Sequence, residues 1–265
     1  MSQPPVIIIT GASRGLGAAV ADWLARIGSA LTLTARSADA LSETTDAVIQ
    51  GGGQALPVAA DAADPEAADK VVRETIDRFG RIDAVINNAG ILSPIARLAD
   101  ADPTQWRRNI DVNLLGPVYL IRAALPFLSR STGRAVNVSS GAADKAIPGW
   151  SAYCAAKAGL THLTRVLAAE YPEITAVSIR PGVVDTRMQA EIRKNGEAGM
   201  TDEAVAGFRR LKADGGLEPP AVPARAIAWL ALKAPAGWSG RFLDYDDPLV
   251  ATPAADLFGP GPDGR

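Results

Sequence analysis

Apolar residues along the chain fall into short unbroken runs, separated by longer stretches in which they recur every three or four positions. The runs Val6 to Thr10, Ala30 to Thr34, Ala55 to Ala59, Ile82 to Ile86, Arg134 to Val138 and Ile174 to Ile179 read as strands, with a last short one near Gly240 to Leu243. The stretches between them read as helices, and strands alternating with helices predict a parallel sheet with helices on both faces. Val6-Ile7-Ile8-Ile9 shows no polar alternation, which is what a strand without a wet side requires. The expected fold class is α/β: one doubly wound, Rossmann-like domain with a fully buried parallel sheet of about seven strands.

After Gly15, the residues Leu16, Val20, Trp23, Leu24 and Ile27 keep helical spacing, and Gly28 follows where a C-terminal glycine belongs. Between Arg187 and Pro223, charged residues, Gly and the pair Pro219-Pro220 interrupt the alternation. Residues 187–222 are expected to form a helical flap over the substrate, within a single domain spanning 1–245. From Asp246 to Arg265 the chain is rich in Pro, Gly and Asp and lacks periodicity, which predicts an irregular tail over 246–265.

Composition narrows the function classes. The 265 residues are 48% hydrophobic and 21% charged, which excludes a disordered chain or a coiled coil. Lys and Arg number 27 against 29 Asp and Glu, with no block of like charge, so nucleic acid is not an expected partner. The N-terminus lacks a basic region followed by a long apolar one, and no run approaches the roughly 20 apolar residues of a membrane helix, so neither export nor membrane insertion is expected. The single cysteine, Cys154, forms no intrachain disulfide, which suits a reducing, cytoplasmic compartment. No metal site is expected.

Candidate chemistry begins between the first strand and first helix, in Thr10-Gly11-Ala12-Ser13-Arg14-Gly15-Leu16-Gly17. Backbone N–H groups and a helix N-terminus there would meet a pyrophosphate, and Gly11, Gly15 and Gly17 would let the backbone approach it. Ser13 and Leu16 belong to the same cofactor-binding turn. Where an acidic residue would bind the ribose 2′-hydroxyl of NAD, this chain has Arg36-Ser37, and Arg14 lies in the loop itself. Two guanidiniums suit a 2′-phosphate, so NADP(H) is the expected cofactor.

With Asn87-Asn88-Ala89-Gly90 after the fourth strand and Tyr153-Cys154-Ala155-Ala156-Lys157 added to that loop, the chain resembles the short-chain dehydrogenase/reductase family over nearly its whole length. Gly149 to Lys157, Asp185 to Gln189 and Ser239 to Asp244 are similar to the sepiapterin reductase and benzil reductase members. The resemblance implies that Asn87, Ala89 and Gly90 line the adenine-ribose side. It implies an adenine contact for Asp61, which reads equally as a helix-leading cap. It places a proton-relay Asn at Asn113 and the serine that holds the substrate oxygen at Ser140, with Ser139 as the rival neighbour. Pro181, Gly182 and Val184 match a nicotinamide-facing turn, and Thr186 matches a contact to the carboxamide or phosphates. Pairing of the helices beginning near Thr104 and Ser151 into a homodimer or homotetramer is also implied.

Tyr153 and Lys157 are four apart, so on a helix they share a face. The ammonium is expected to bring the phenol pKa down into working range, with Tyr153 as general acid. By the resemblance, Lys157 also binds the nicotinamide ribose. Trp150 and Met188 are candidate substrate contacts, and Trp150 is equally readable as core. Asp244 is either an anchor for pterin ring nitrogens or a solvated carboxylate at a strand end. His162 and Cys154 lie off the Tyr153 face and read as ordinary packing. The expected activity is NADPH-dependent reduction of a small ketone or vicinal dicarbonyl. The alternatives are an NADP-linked secondary-alcohol dehydrogenase, since the same residues serve both directions, and a non-catalytic NADP-binding sensor, which would need no acid at Tyr153.

Overall fold

The computed structural model describes residues 3–259. Strands β1 (Val6–Thr10), β2 (Ala30–Ala35), β3 (Gln54–Ala59), β4 (Ala84–Asn87), β5 (Arg134–Val138), β6 (Thr175–Arg180) and β7 (Phe242–Asp244) form one sheet in the order β3-β2-β1-β4-β5-β6-β7. Every pairing is parallel. The helices are α1 (Gly15–Ala25), α2 (Ser42–Gln50), α3 (Pro65–Phe79), α4 (Pro103–Ile110), α5 (Gly116–Ser131), α6 (Ser151–Glu170), α7 (Arg187–Asn195), α8 (Asp202–Ala213), α9 (Ala221–Lys233) and α10 (Pro248–Phe258).

The pleat explains the unbroken apolar runs. Ile7 and Ile9 enter the core shared with α1, α9 and α10, whereas Ile8 enters the opposite one with α3 and α5, and all three are fully buried. The expectation of a wholly buried sheet fails at its edge. β3 carries exposed residues and holds Pro57, which a strand with a neighbour on one side only can accommodate. Because the chain leaves β1 toward β2 and later reaches β4 on β1's other side, a crevice opens beyond the C-terminal ends of β1 and β4.

The expected irregular tail is largely a helix. Asp247 caps α10 by accepting from the Leu249 N–H at 2.9 Å, and Pro248 occupies its first turn. Val250 and Ala254 are buried, and Phe258 meets Trp23 of α1 with ring centroids 5.5 Å apart. The Asp and Pro read as disorder signals are therefore a helix start; residues 260–265 of that expected tail lie outside the described residues. A second correction concerns apolar length. α4, a π-helical turn and α5 run on as Pro103–Ser131, where an 18-residue window reaches a mean hydropathy of 1.4. Such a helix is long and apolar enough to cross a membrane, yet Leu120, Ile121, Ala124 and Leu128 on it pack into the protein's own core. Within the expected flap, 187–222, α7 and α8 are helices joined through a 3₁₀ turn at Gly196–Ala198, and residues 214–220 are irregular.

Candidate active site

The glycine loop is held by the segment after β4. Thr10 Oγ1 accepts from the backbone N–H groups of Asn88 and Ala89, both at 3.0 Å. The Asn88 amide donates back to the carbonyls of Thr10 at 2.9 Å and Gly11 at 3.2 Å. Gly11 has a φ of +64°, and a Cβ on Gly17 would lie 2.3 Å from the Gly11 oxygen. Arg14, which precedes α1, supplies no side-chain cap, so the first-turn N–H groups of that helix remain open to an anion. These features fit a dinucleotide pyrophosphate. Gly15 faces Thr186 across the loop, and a Cβ on it would approach the Thr186 methyl at 3.4 Å. Ser13 and Leu16 are half-buried in the same turn.

Beside the loop, a small cleft is lined by Thr34, Asp61, Ala62, Asn87, Ala89 and Val112. The Asn87 amide donates to Asn137 Oδ1 at 2.8 Å, which braces β4 against β5. Asp61 is not the cap of α3; Asp64 is, accepting from the Glu66 N–H at 2.9 Å. Asp61 accepts instead from the Ala63 N–H at 3.0 Å, and its two oxygens both accept from Arg108 Nη2, at 2.8 and 2.6 Å. Burial raises its pKa, but these bonds and the charges of Arg108 and Arg36 outweigh that and hold it below the usual carboxylate value. Arg14, Arg36 and Ser37 are exposed, and among the described residues neither arginine side chain makes a hydrogen bond or ion pair.

At the reaction end, Asn113 sits in the π-helical turn Asp111–Leu115, a local widening that often marks functional positions. Its amide donates to the carbonyls of Ile91 at 2.8 Å and Asn109 at 3.0 Å, while its Oδ1 accepts from the Ile91 N–H at 3.3 Å. A Cβ on Gly90 would lie 2.9 Å from that Oδ1, so glycine makes room for it. The two serines separate cleanly. Ser139 is buried and bonded to Thr161 at 2.8 Å, inside the protein, whereas Ser140 Oγ accepts from the Ala142 N–H at 3.1 Å and lies beside Tyr153.

Tyr153 and Lys157 do share a face of α6, with the ammonium 5.6 Å from the ring centroid. The expected phenol shift is reversed. Burial pushes the Tyr153 pKa up to about 12, and the opposing pull comes from Ser140. Lys157 donates to the Val138 carbonyl at 2.8 Å, and burial lowers its own pKa to about 8. Tyr153 therefore holds its proton at neutral pH, as a donor must.

The wall over Tyr153 comes from the flap. Trp150 is buried, edge-on to Tyr153 at 5.9 Å and stacked on Phe208 of α8 at 5.8 Å. Its indole N–H points to Met200 Sδ at 3.3 Å, and Met188 packs on the same cluster. Ser93 donates to Glu191 of α7, tying the flap to the loop after β4. Asp244 ends β7 partly exposed, and it is paired: Arg180 grips the two oxygens of its carboxylate, and that hydrogen-bonded pairing holds its pKa below the usual value. The pair flanks the serine loop, since a Cβ on Gly141 would lie 3.4 Å from Arg180 Cδ. Pro181 is buried, and Gly182, at φ +74°, lies against the Tyr245 ring. Val184 is buried in a bridge to Glu218 formed through Val183 and Asp185, which leaves its own N–H and carbonyl out of that pairing. His162 is exposed, and Cys154 Sγ rests 3.6 Å from the Lys145 carbonyl.

Sequence reasoning missed Arg108, Arg180, Phe208 and Asn109. Of these only Asn109 carried a usable signal, standing one helical turn before Asn113, whose amide it meets at 2.9 Å.

The chain is 38% identical over 245 residues to an uncharacterized oxidoreductase of Schizosaccharomyces pombe, covering 91% of this chain and 96% of the relative. It is 36% identical over 254 residues to a Saccharomyces cerevisiae benzil reductase that forms (S)-benzoin, covering 91% and 96%. A crystal structure of a Saccharomyces cerevisiae short-chain dehydrogenase/reductase superposes with a TM-score of 0.89 at 34% identity, covering 94% of this chain and 98% of that one. Residues 5–197 match the short chain dehydrogenase family, and the protein belongs to that family of nicotinamide-dependent oxidoreductases.

Proposed function

We propose that the protein is an NADPH-dependent carbonyl reductase acting on a vicinal dicarbonyl, of the aryl diketone kind rather than a pterin. The observation that carries this is Tyr153: buried, protonated at neutral pH, beside Ser140 and against the indole of Trp150. When bound, the nicotinamide supplies the hydride to the carbonyl carbon. The Ser140 hydroxyl holds the carbonyl oxygen, and Tyr153 Oη transfers its proton to that oxygen as the C–H bond forms, leaving an alcohol and a phenolate. The Lys157 ammonium, fixed by Val138, stabilises that phenolate and reaches the nicotinamide ribose. Asn113 holds the Ile91 loop behind them. The open N-terminus of α1 carries the pyrophosphate, and Arg14 and Arg36 take the 2′-phosphate.

The diketone choice follows from the wall and from Asp244. Trp150, Phe208, Met188 and Met200 form an apolar, aromatic cluster packed against Tyr153, the kind of neighbourhood that suits a planar aryl group. A pterin needs a free carboxylate for its ring nitrogens, and Arg180 already engages the one at Asp244. The benzil reductase relative points the same way. Purified protein with NADPH should consume benzil and other aryl diketones, followed by loss of cofactor absorbance. Reduction of a pterin side chain in preference to benzil would reject the substrate reading, and no reduction of any diketone or ketone would reject the activity.

A further inference from the structure

β2 and β3 end side by side at the cofactor edge, with Ala35 paired to Ala59 and the Ala60 N–H donating to the Ala35 carbonyl at 2.8 Å. Arg36 follows β2 directly and Asp61 stands two residues past the end of β3, which brings an arginine and an acid to the same edge. Their charges reach each other. An unengaged carboxylate at this place would oppose a 2′-phosphate twice over, by pairing with the Arg36 guanidinium and by repelling the phosphate itself.

Arg108 removes both effects. It arrives from α4, whose start is fixed by Asp102 accepting from the Gln105 N–H at 2.8 Å. One of its nitrogens meets the two Asp61 oxygens at 2.8 and 2.6 Å, and the Ala63 N–H completes the set at 3.0 Å. With Arg108 in place the group of Arg36, Asp61 and Arg108 carries one net positive charge; without it, none.

We propose that Arg108 is a specificity-determining positioning residue: by engaging Asp61 it keeps Arg36 available to the 2′-phosphate of NADP(H). The inference rests on the NADPH reading above and goes beyond it, because it assigns part of the cofactor choice to a residue on α4 rather than to the phosphate-facing arginines.

The test is the ratio of NADH to NADPH dissociation constants, from fluorescence titration of wild type, Arg108→Met, Asp61→Asn, the double variant and Arg36→Ala. Adenine contacts and general loosening affect both cofactors, so the ratio cancels them. Arg108→Met should lose about tenfold of the preference for NADPH, the size of one charge-assisted contact. Asp61→Asn alone should stay within about threefold of wild type, and adding it to Arg108→Met should restore most of the loss, because neighbouring groups in one network couple. Where Arg108→Met fails to keep the wild-type NADH affinity, Arg108→Gln takes its place. An unchanged ratio in the Arg108 variant overturns the inference. So does a loss that Asp61→Asn leaves unrepaired, which would mean that Arg108 touches the phosphate directly. A wild type that prefers neither cofactor rejects the NADPH reading, and the inference falls with it. A wild-type preference that depends on Arg36 but not on Arg108 rejects the inference alone.

Discussion

The two ends of the crevice are built by different physics. At the cofactor end, the glycine loop is held by directional bonds between residues far apart in sequence, Thr10 to Asn88 and Ala89, and by glycines at positions a side chain cannot share. At the substrate end, Trp150, Met188, Met200 and Phe208 are brought together by apolar packing, which fixes volume far more than identity. A hydrogen-bonded backbone cradle tolerates few residue types, whereas a packed wall tolerates many. One end can thus serve a whole family while the other varies with the substrate.

Tyr153 lies where the two ends meet, and its removal should have the largest effect. Tyr153→Phe keeps the ring against Trp150 and deletes only the proton, so turnover should drop by about 10²–10⁴-fold, the usual share of a general acid. NADPH affinity should stay close to wild type. Residual turnover above about a tenth would break the assignment, because a wall residue, unlike an acid, has no proton to lose.

Lys157 tests whether burial, seen in its lowered pKa, has a cost in stability. A buried lysine that titrates near 8 against 10.5 unfolded binds fewer protons folded than unfolded between those values. Wild-type stability relative to Lys157→Met should therefore rise as pH climbs from about 8 to about 10, by at most about 3 kcal/mol at roughly 1.4 kcal/mol per unit. Denaturant melts of both proteins across that range measure it. A constant difference would mean that Lys157 is not desolvated as the fold places it.

The same contrast explains what could be read in advance. The order of strands and helices followed from runs such as Val6 to Ile9, because burial on both faces leaves a period-free signature. Asn113, Ser140, Tyr153 and Lys157 stood out because each occupies a fixed place in a family pattern. The two neighbouring serines could be told apart only by packing, since Ser139 turns inward to Thr161. Helix α10 escaped because Asp247 and Pro248, composition alone considered, look like loop residues, while Val250 and Ala254 reveal a buried face only once α9 is beside them. Arg108 and Arg180 escaped for a simpler reason. Their partners, Asp61 and Asp244, lie 47 and 64 residues away, and no local spacing encodes a long-range ion pair.

A pair of packing substitutions sharpens the comparison at smaller scale. Gly17→Ala puts a methyl 2.3 Å from the Gly11 oxygen and 2.5 Å from the Asn88 amide, so the cradle must shift. It should destabilise by about 1–3 kcal/mol and weaken both cofactors together. Phe208→Leu changes the wall without breaking a bond; it should cost less than about 1.5 kcal/mol and act on the KM for benzil rather than on cofactor affinity. Thermal melts and titrations of the two variants read this directly. If Phe208→Leu disturbed the cofactor as much as Gly17→Ala, the two ends would not be separable.

The smallest effect belongs to Asp244, which is the sharpest test of which end of the crevice it serves. Its carboxylate is about two-fifths exposed and that of its partner Arg180 one-third, so solvent screens the pair and its contribution to stability should be well under about 1 kcal/mol. Because pairing lowers the Asp244 pKa, whatever stability it adds is present at neutral pH and fades as pH falls through the native pKa. Asp244→Asn should therefore melt slightly below wild type at pH 7, and the gap should close in acid or in high salt. Its KM for an aryl diketone should match wild type, since such a substrate has no donor for the carboxylate. For a pterin, whose ring nitrogens can donate, a KM raised about tenfold would mean that a charge-assisted bond of roughly 1.5–3 kcal/mol had been lost, and that Asp244 leaves Arg180 to hold the substrate.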